Sequence, residues 1–410
     1  MSNPRLPREI LDCVVDLLHD KPDALKQCCL VSKSWVPRTR KHLFANINFD
    51  RASDLERWKE TFPDPANSPA HHTRSLLVGC PRSVTAVDAE EGGWIRAFSR
   101  VVRFELHTHH NYRSEISLIP FHNFSPALKS LRVISSIPRS RVFDLVCSLP
   151  LLENLSIHEF RMWGADSNGI DLQPSTSPLL NGTFESYDRG GSGPTVRWLL
   201  GLPGGFHFRK LVLTWRNEED VRWIMKLVVG CSDILECFDI RQALYGTFRW
   251  FLHLDSVAHS NLRLHVGEQQ PCIDLSKATR LKDVIFRCGK LNPKWIVMAL
   301  QTITPKHQDL RQITIWTPYY CYPGTQEPVN LKEAAGEAGY RQWMDLDNLL
   351  VQLLGSRATR TKVAHGAEDN EKKLDMCEHI GSLLPKIAER GTIQPGVCGG
   401  GRPTARSEDR

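Results

Sequence analysis

Three histidines in one short segment are the first residues of this sequence that could do chemistry. His107, His109 and His110 stand together, with Thr108 between the first two. Imidazole nitrogens at such spacing can bind zinc or a related metal ion. A metal site needs further ligands, however, and the neighbouring sequence has no matching cluster of cysteine or carboxylate residues. The pattern therefore favours a surface loop that follows a strand, and we predict no metal site.

The twelve cysteines do not form a metal or redox motif. No two of them are separated by two residues, so the sequence indicates neither a zinc ribbon nor a thioredoxin-type site. Several lie in apolar runs, where a free thiol packs as a small hydrophobic side chain. Residues 189–193 are rich in glycine but lack the lysine of a phosphate-binding loop, and no HExxH, GxSxG or kinase signature is present. We therefore predict no cofactor, and no motif nominates a catalytic residue, although the sequence leaves open a Cys-His pair formed by distant positions.

The first fifty residues carry the most informative pattern. Pro7 suits the first position of a helix because its φ is preset and its missing N–H would have no partner there. Apolar residues then follow at helical spacing, namely Ile10, Val14, Leu17 and Leu18. We expect a helix over residues 7–18, a second that begins at Pro22 and a third from Val36 to Phe44. Helices this short bury little among themselves, so a partner or the next domain must cover their apolar surface.

Two parts of this segment resemble the F-box, the three-helix motif that docks on the adaptor Skp1. They are Leu6-Pro7-Arg8-Glu9-Ile10-Leu11 and Leu30-Val31-Ser32-Lys33-Ser34-Trp35. The residues from Leu30 to Phe44 are similar to F-box proteins that are abundant in basidiomycete fungi. The resemblance implies eight contacts with Skp1, from Leu6, Pro7, Ile10, Leu11, Val31, Ser32, Lys33 and Trp35. Aliphatic and tryptophan side chains that lose water at an interface are typical hot spots, worth about 2 kcal/mol or more each. The alternative is that these residues only cap the rest of the fold.

A second pattern, a loosened LxxLxL, recurs along the rest of the chain. Its middle apolar residue falls at positions 76, 104, 131, 155, 211, 238, 262, 284 and 313. All intervals but one lie between 22 and 29 residues, and the longer one has room for a degenerate copy around residues 179–184. Such spacing is typical of leucine-rich repeats, in which each repeat supplies a strand and a connecting segment. The alternative is a general α/β domain with alternating strands and helices, which the regular spacing disfavours.

These patterns together predict an α/β fold class, with an N-terminal three-helix F-box followed by an irregular leucine-rich-repeat solenoid with C-terminal capping helices. The predicted parts are an F-box at 1–50, a linker at 51–72, repeats at 73–317, a C-terminal loop and capping helices at 318–398, and a disordered tail at 399–410. Alternate strand positions would then line a concave face on which basic residues outnumber acidic ones. Acidic or phosphorylated segments are the ligands that such a face favours. The predicted target-binding residues are Arg132, Arg241, Arg263, Arg287 and Trp316, unless these side chains are simply solvated at the surface.

Composition narrows the range of partners. With 410 residues, of which 41% are hydrophobic, the chain can form a sizeable core, so wholesale disorder is excluded. The net charge is only +6 and no long Lys/Arg run occurs, so we do not expect a nucleic-acid partner. No apolar stretch approaches the roughly 18 residues of a membrane helix, and the N-terminus has no signal core. We predict no membrane partner and a cytoplasmic or nuclear location.

The resemblance implies a substrate-recognition adaptor of a Skp1–cullin–F-box ubiquitin ligase. Such a chain binds Skp1, and through it cullin, with its F-box, and binds a protein target with its other domain. It would be a non-catalytic subunit that raises the effective concentration of the target beside the conjugating enzyme. The alternatives are a Skp1-binding scaffold outside any ligase, a repeat-type nucleic-acid-binding protein and, from another class, a hydrolase.

Overall fold

The structure is a computed structural model of the chain, and it describes most of the residues between Pro7 and Val397. The described residues are 7–79, 84, 88, 90, 93–107, 118–134, 137–158, 178–188, 190–202, 204–243, 272–288, 293–317, 331–355, 360–367, 381–390 and 396–397. They fall into two compact units, which we describe in turn. The first unit comprises Met1–Asn181 with Gly201–Gly205, and the second comprises Gly182–Leu200 with Phe206–Arg410.

The first unit alternates helices and short strands. Its described helices are α1 (Arg8–Leu17), α2 (Pro22–Val31), α3 (Val36–Leu43), α4 (Ala52–Thr61), α5 (Trp94–Ala97) and α6 (Arg139–Cys147). Its described strands are β1 (Asn46–Phe49), β2 (Ser75–Val78), β3 (Arg103–His107), β4 (Ser130–Ile134) and β5 (Asn154–His158). Short 3-10 turns also lie between β1 and β2 and between β3 and β4.

Prolines determine where the first three helices begin. Pro7 directly precedes α1, Pro22 is the first residue of α2 and Pro37 is the second residue of α3. A proline costs little in a first turn because the N–H that it lacks would have no partner within the helix. The sequence predicts all three helices, and the structure confirms them.

The strands β1 to β5 form a parallel sheet in chain order, each paired with the next. One row of paired residues runs across it, consisting of Leu76, Phe104, Leu131 and Leu155. All four are buried, and full burial of such a side chain is worth about 1.5–3 kcal/mol. These residues are the middle positions of the predicted pattern, so the structure confirms these four strands.

The second unit has the same alternation. Its described helices are α7 (Gly193–Leu200), α8 (Glu218–Gly230), α9 (Lys294–Gln301), α10 (Leu331–Gly355, interrupted at Gly336) and α11 (Pro385–Glu389). Its described strands are β6 (Thr183–Tyr187), β7 (Lys210–Trp215), β8 (Cys237–Gln242), β9 (Asp283–Arg287), β10 (Gln312–Thr317), β11 (Arg360–Ala367) and β12 (Gly396–Val397).

The strands of the second unit are also parallel, and the described pairs follow chain order. Their central row consists of Phe184, Leu211, Phe238, Val284 and Ile313, all of them 0% exposed. Because side chains alternate along a strand, the positions on either side of this row point to the opposite face of the sheet. That opposite face, which we call the polar face, carries most of the charged strand residues of this unit.

Asp220 joins the starts of α7 and α8. Its carboxylate accepts hydrogen bonds from the backbone N–H groups of Gly193 (3.1 Å), Arg216 (2.8 Å) and Asn217 (3.2 Å). The Asn217 side chain accepts one in return from the Asp220 N–H (2.9 Å), which completes a capping box. A Cβ atom at Gly191, whose φ is +93°, would lie 2.0 Å from the Asp220 carboxylate. The glycine-rich residues 190–193 therefore act as a turn that lets the backbone approach Asp220.

Asp347 joins α10 to α11 in a similar way. The side chain is fully buried, and its carboxylate oxygens accept hydrogen bonds from the backbone N–H groups of Lys386 (3.0 Å) and Ile387 (3.0 Å). These two groups lie in the first turn of α11, where helix N–H groups have no partner within the helix. The cap of α11 thus comes from the neighbouring helix instead of from the residue that precedes α11.

The predicted fold class is wrong. Each unit is an α/β arrangement with an all-parallel sheet and flanking helices, and not an F-box followed by a leucine-rich-repeat solenoid with capping helices. This is the alternative that the regular spacing disfavours. The physical reason is that LxxLxL reports only a short strand with one buried face. Any parallel α/β sheet repeats such strands at the interval needed for a return segment, so the spacing does not distinguish the two classes.

Some elements differ from what the repeat spacing and the F-box resemblance predict. The strand β1 lies inside the segment expected to be purely helical, and β11 lies among residues expected to form a loop and capping helices. The strands β8 and β9 pair directly with each other, although the spacing predicts a further copy of the pattern at Leu262. Leu262 itself lies outside the described residues.

Candidate protein-docking site

The helix α1 has two apolar stripes, and its own fold covers only one of them. The inner stripe consists of Leu11, Val15 and Leu18, of which Val15 is buried and the other two are half-buried. The outer stripe consists of Ile10, Val14 and Leu17, which are 49%, 42% and 77% exposed. Residues at i, i+4 and i+7 share one side of a helix, so the outer stripe forms a continuous aliphatic surface.

A cluster of polar side chains holds α1 against α3 with the outer stripe facing away. The Arg38 guanidinium donates to both carboxylate oxygens of Asp16, and its Nε lies 2.7 Å from Asp16 Oδ1. The imidazole Nε2 of His42 lies 2.7 Å from the same oxygen. The hydrogen bond from Arg38 is the main reason why the pKa of Asp16 lies well below its usual value. Because Asp16 follows Val15, this carboxylate turns the inner stripe toward α3.

The end of α2 adds a second exposed aliphatic pair. Leu25 and Cys28 are buried, whereas Leu30 is 80% and Val31 is 69% exposed. The chain then turns through Ser32, whose side chain accepts a hydrogen bond from the Ser34 N–H at 3.2 Å. This turn joins α2 to α3, so Leu30 and Val31 lie directly before the junction of the two helices. We call Ile10, Val14, Leu17, Leu30 and Val31 the aliphatic surface.

Most of the eight residues that the resemblance assigns to Skp1 binding are accessible. Exposed residues of this set are Pro7, Ile10, Val31 and Lys33, and half-buried ones are Leu11, Ser32 and Trp35. Leu6 lies outside the described residues. Trp35 also has a structural role, because its carbonyl accepts a hydrogen bond from the Thr39 hydroxyl in α3 at 2.6 Å.

The predicted set omits Val14, Leu17 and Leu30, which are among the exposed aliphatic residues of this region. The signal for the first two is present in the sequence as an i, i+4, i+7 series that begins at Ile10. A second series, from Leu11 through Val15, competes with it. The sequence alone does not tell which of the two packs inward.

Three of the five predicted target-binding residues lie in one row of the second unit's polar face. Arg241 in β8 pairs in register with Arg287 in β9, which pairs with Trp316 in β10. The Arg287 guanidinium lies 5.4 Å from the centre of the Trp316 ring, and that of Arg241 lies 5.2 Å from the Tyr187 ring. These distances are within the range of cation–π attraction. We call these four residues the arginine row.

The two arginines of this row differ in their partners. Arg287 binds the carboxylate of Asp239 through Nε (2.8 Å) and Nη2 (2.6 Å), and Asp239 is buried. Among the described residues, no carboxylate accepts a hydrogen bond from Arg241. Burial and the charge of Arg287 lower the pKa of Arg241. The row therefore contains one guanidinium that is bonded to a carboxylate and one, Arg241, for which Asp239 is a nearby charge but no described carboxylate is a hydrogen-bonded partner.

The other two predicted target-binding residues do not belong to this row. Arg132 lies in the first unit, 3.3 Å from the Glu105 carboxylate, which also contacts His107 Nε2 at 2.6 Å. Burial works against ionisation of Glu105, but His107 and Arg132 outweigh it and lower the pKa of this carboxyl group. Arg132 is thus already paired. Arg263 lies outside the described residues.

The described residues also bear on metal and thiol chemistry. His107 ends β3, and 108–110 lie outside the described residues. No group of three or more metal-ligating side chains occurs within the described part of the chain. Burial raises the pKa of four cysteine thiols to about 11 or 12, namely Cys147, Cys231, Cys237 and Cys288. Protonated, buried thiols are poor nucleophiles, which speaks against a cysteine hydrolase that uses one of these four.

Comparisons with known proteins do not assign a family. No protein-family model matches the chain, and no curated protein matches it. Within the described residues, no helix combines the length and the apolar character needed to cross a bilayer.

Proposed function

We propose that α1 and α2 form the docking surface for a Skp1-type adaptor and that the chain is the target receptor of a Skp1–cullin–F-box ubiquitin ligase. One observation carries this proposal. Five of the nine large hydrophobic side chains that are exposed in the described residues belong to the aliphatic surface. Three of the five share one side of α1 and the other two are adjacent at the end of α2. Exposed aliphatic groups that lie together are typical of protein interfaces, whereas single ones are normal on any surface.

The way in which α1 is held supports a docking role. Asp16, Arg38 and His42 fix the helix from its inner side, so the outer stripe is presented without rearrangement. A surface that is already in its bound conformation loses little entropy when a partner covers it. For each aliphatic side chain that the partner buries fully, the transfer from water would be favourable by a free energy of about 1.5–3 kcal/mol.

The proposed receptor does no bond chemistry of its own. It brings the target close to a ubiquitin-conjugating enzyme, so that a target lysine meets the thioester at a high effective concentration. A scaffold that binds the adaptor outside a ligase would share the same docking surface. Cullin distinguishes the two roles, because only a ligase subunit co-purifies with it through the adaptor.

Co-purification with the Skp1-type adaptor of the same organism tests the docking surface. We expect the wild-type chain to retain the adaptor and a Leu17→Asp, Leu30→Asp double variant to lose it. Both side chains are highly exposed, so the double variant should fold like the wild type. The control is Leu151→Asp, which places one such charge at an exposed leucine elsewhere in the first unit. Unchanged adaptor retention by the double variant would falsify the assigned surface.

A second double variant, Pro7→Ala with Trp35→Ala, tests the residues named from the resemblance. We expect it to retain less adaptor than the wild type. Because Trp35 is half-buried at the start of α3, the helix content and melting temperature of this variant must be compared with those of the wild type. If neither the wild-type chain nor the variants retain the adaptor, the receptor proposal itself is wrong.

A further inference from the structure

We propose that the arginine row binds a phosphoryl group carried by a side chain of the protein target. This inference rests on the proposed function, since it names the chemistry by which the receptor would select its target. Its core is Arg241, a half-buried cation beside a second cation. A dianion bound at this place would neutralise Arg241 and reduce its repulsion from Arg287.

The neighbouring groups hold both guanidinium planes in place. The Tyr187 ring lies against Arg241 and the Trp316 ring lies against Arg287. Asp239 occupies Nε and Nη2 of Arg287, so Nη1 is the nitrogen of that group not engaged by Asp239. A guanidinium that is oriented in advance presents its N–H groups as a fixed fork, and this fork matches the oxygens of a phosphoryl group.

The charge pattern of the polar face favours a single phosphoryl group over a nucleic-acid backbone. Glu185, Asp239 and Asp283 occupy positions on this face between or beside the basic residues. A nucleic acid would need a continuous positive track, because its affinity comes from many phosphate contacts. The positive charge on this face is interrupted, and Arg241 has no hydrogen-bonded carboxylate among the described residues. This pattern fits one phosphorylated side chain in an otherwise uncharged or basic segment.

A binding experiment with four probes tests the ligand class. The probes are three peptide libraries with identical random flanks and a central phosphoserine, serine or glutamate, and a single-stranded RNA oligonucleotide. Immobilised wild-type chain should retain the phosphoserine library, and inorganic phosphate should release it. Equal retention of the phosphoserine library and either other peptide library would overturn the proposal, and so would stronger retention of the RNA.

Matched arginine variants locate the site. Arg241→Gln should lower retention of the phosphoserine library by about tenfold or more, because it removes one partner of a partly buried charge pair. Arg222→Gln should bind like the wild type, since Arg222 is an exposed residue of α8 paired with Glu218. Unchanged binding by Arg241→Gln would overturn the proposal. Both variants should still co-purify with the adaptor, so a failure of this site and a failure of adaptor docking give different results.

Discussion

One carboxylate decides which side of α1 faces outward. Asp16 lies next to Val15, and it is the only residue among those described that bonds to both Arg38 and His42. These partners are 22 and 26 residues away in sequence, so the pairing is a tertiary contact that the local pattern does not encode. The position of the aliphatic surface therefore depends on a polar contact on the opposite side of the helix.

Asp16→Asn should weaken the attachment of α1 in a pH-dependent way. The partners hold the pKa of Asp16 below its usual value of 3.8. A lowered pKa means that the ionised group stabilises the folded state above that value and that this contribution disappears as the pH falls further. In urea titrations the variant should have a lower midpoint than the wild type at about pH 7, and the difference should shrink toward about pH 3.

The control for this measurement is Asp20→Asn, which removes the same charge at an exposed residue after α1. It should leave the urea midpoint close to that of the wild type at both pH values. A constant difference between Asp16→Asn and the wild type across the pH range would show that the ion pair is not its cause.

At the scale of elements, α11 depends on a cap that belongs to another helix. Asp347→Ala would leave the Lys386 and Ile387 N–H groups without their acceptor at a buried place. An unsatisfied buried donor costs about 1–3 kcal/mol, so this variant should lose at least about 1 kcal/mol of unfolding free energy. Amide hydrogen exchange should accelerate most in residues 381–390.

The neighbouring residue provides the control. Asn348 is exposed and its side chain accepts a hydrogen bond from the exposed Lys386 ammonium group, so Asn348→Ala should change stability by less than about 0.5 kcal/mol. Equal exchange rates for residues 381–390 in Asp347→Ala and the wild type would show that the cap does not hold α11.

Local patterns predicted most elements but not their arrangement. The apolar spacing of residues 140–149 and 220–229 predicts a helix in each segment, and the structure confirms them as α6 and α8. Their periodicity depends only on residues near in sequence. The strand β11 could not be predicted in the same way, because its apolar residues do not follow the LxxLxL pattern and its position depends on pairing with β10.

For the candidate sites too, the sequence predicts some of the residues but not their partners. The sequence named Arg241, Arg287 and Trp316 because they occupy equivalent strand positions, and the in-register pairing does bring them into one row. The sequence could not show that Asp239 hydrogen-bonds to only one of the two arginines, since Asp239 and Arg287 are 48 residues apart. Distant partners, and not residue types, decide which charges remain available.

At the scale of the described molecule, four cysteines that are buried or half-buried should behave as packing residues. Burial raises the pKa of Cys147, Cys231, Cys237 and Cys288, so almost none of their thiols is ionised near neutral pH. Iodoacetamide should label the exposed Cys13 in the native protein and leave these four unmodified, as measured by peptide mass spectrometry. In denaturant all of them should react. Rapid native labelling of any of the four would mean that its surroundings open or that it serves as a nucleophile.

The bare stripe on α1 also has a consequence for the lifetime of the chain in a cell. Chaperones and quality-control proteases recognise exposed apolar segments as signs of misfolding. In the proposed docking role, a newly made copy that has not yet bound the adaptor presents such a segment while it is fully folded. We therefore expect its abundance to follow the supply of that partner, with surplus copies removed first.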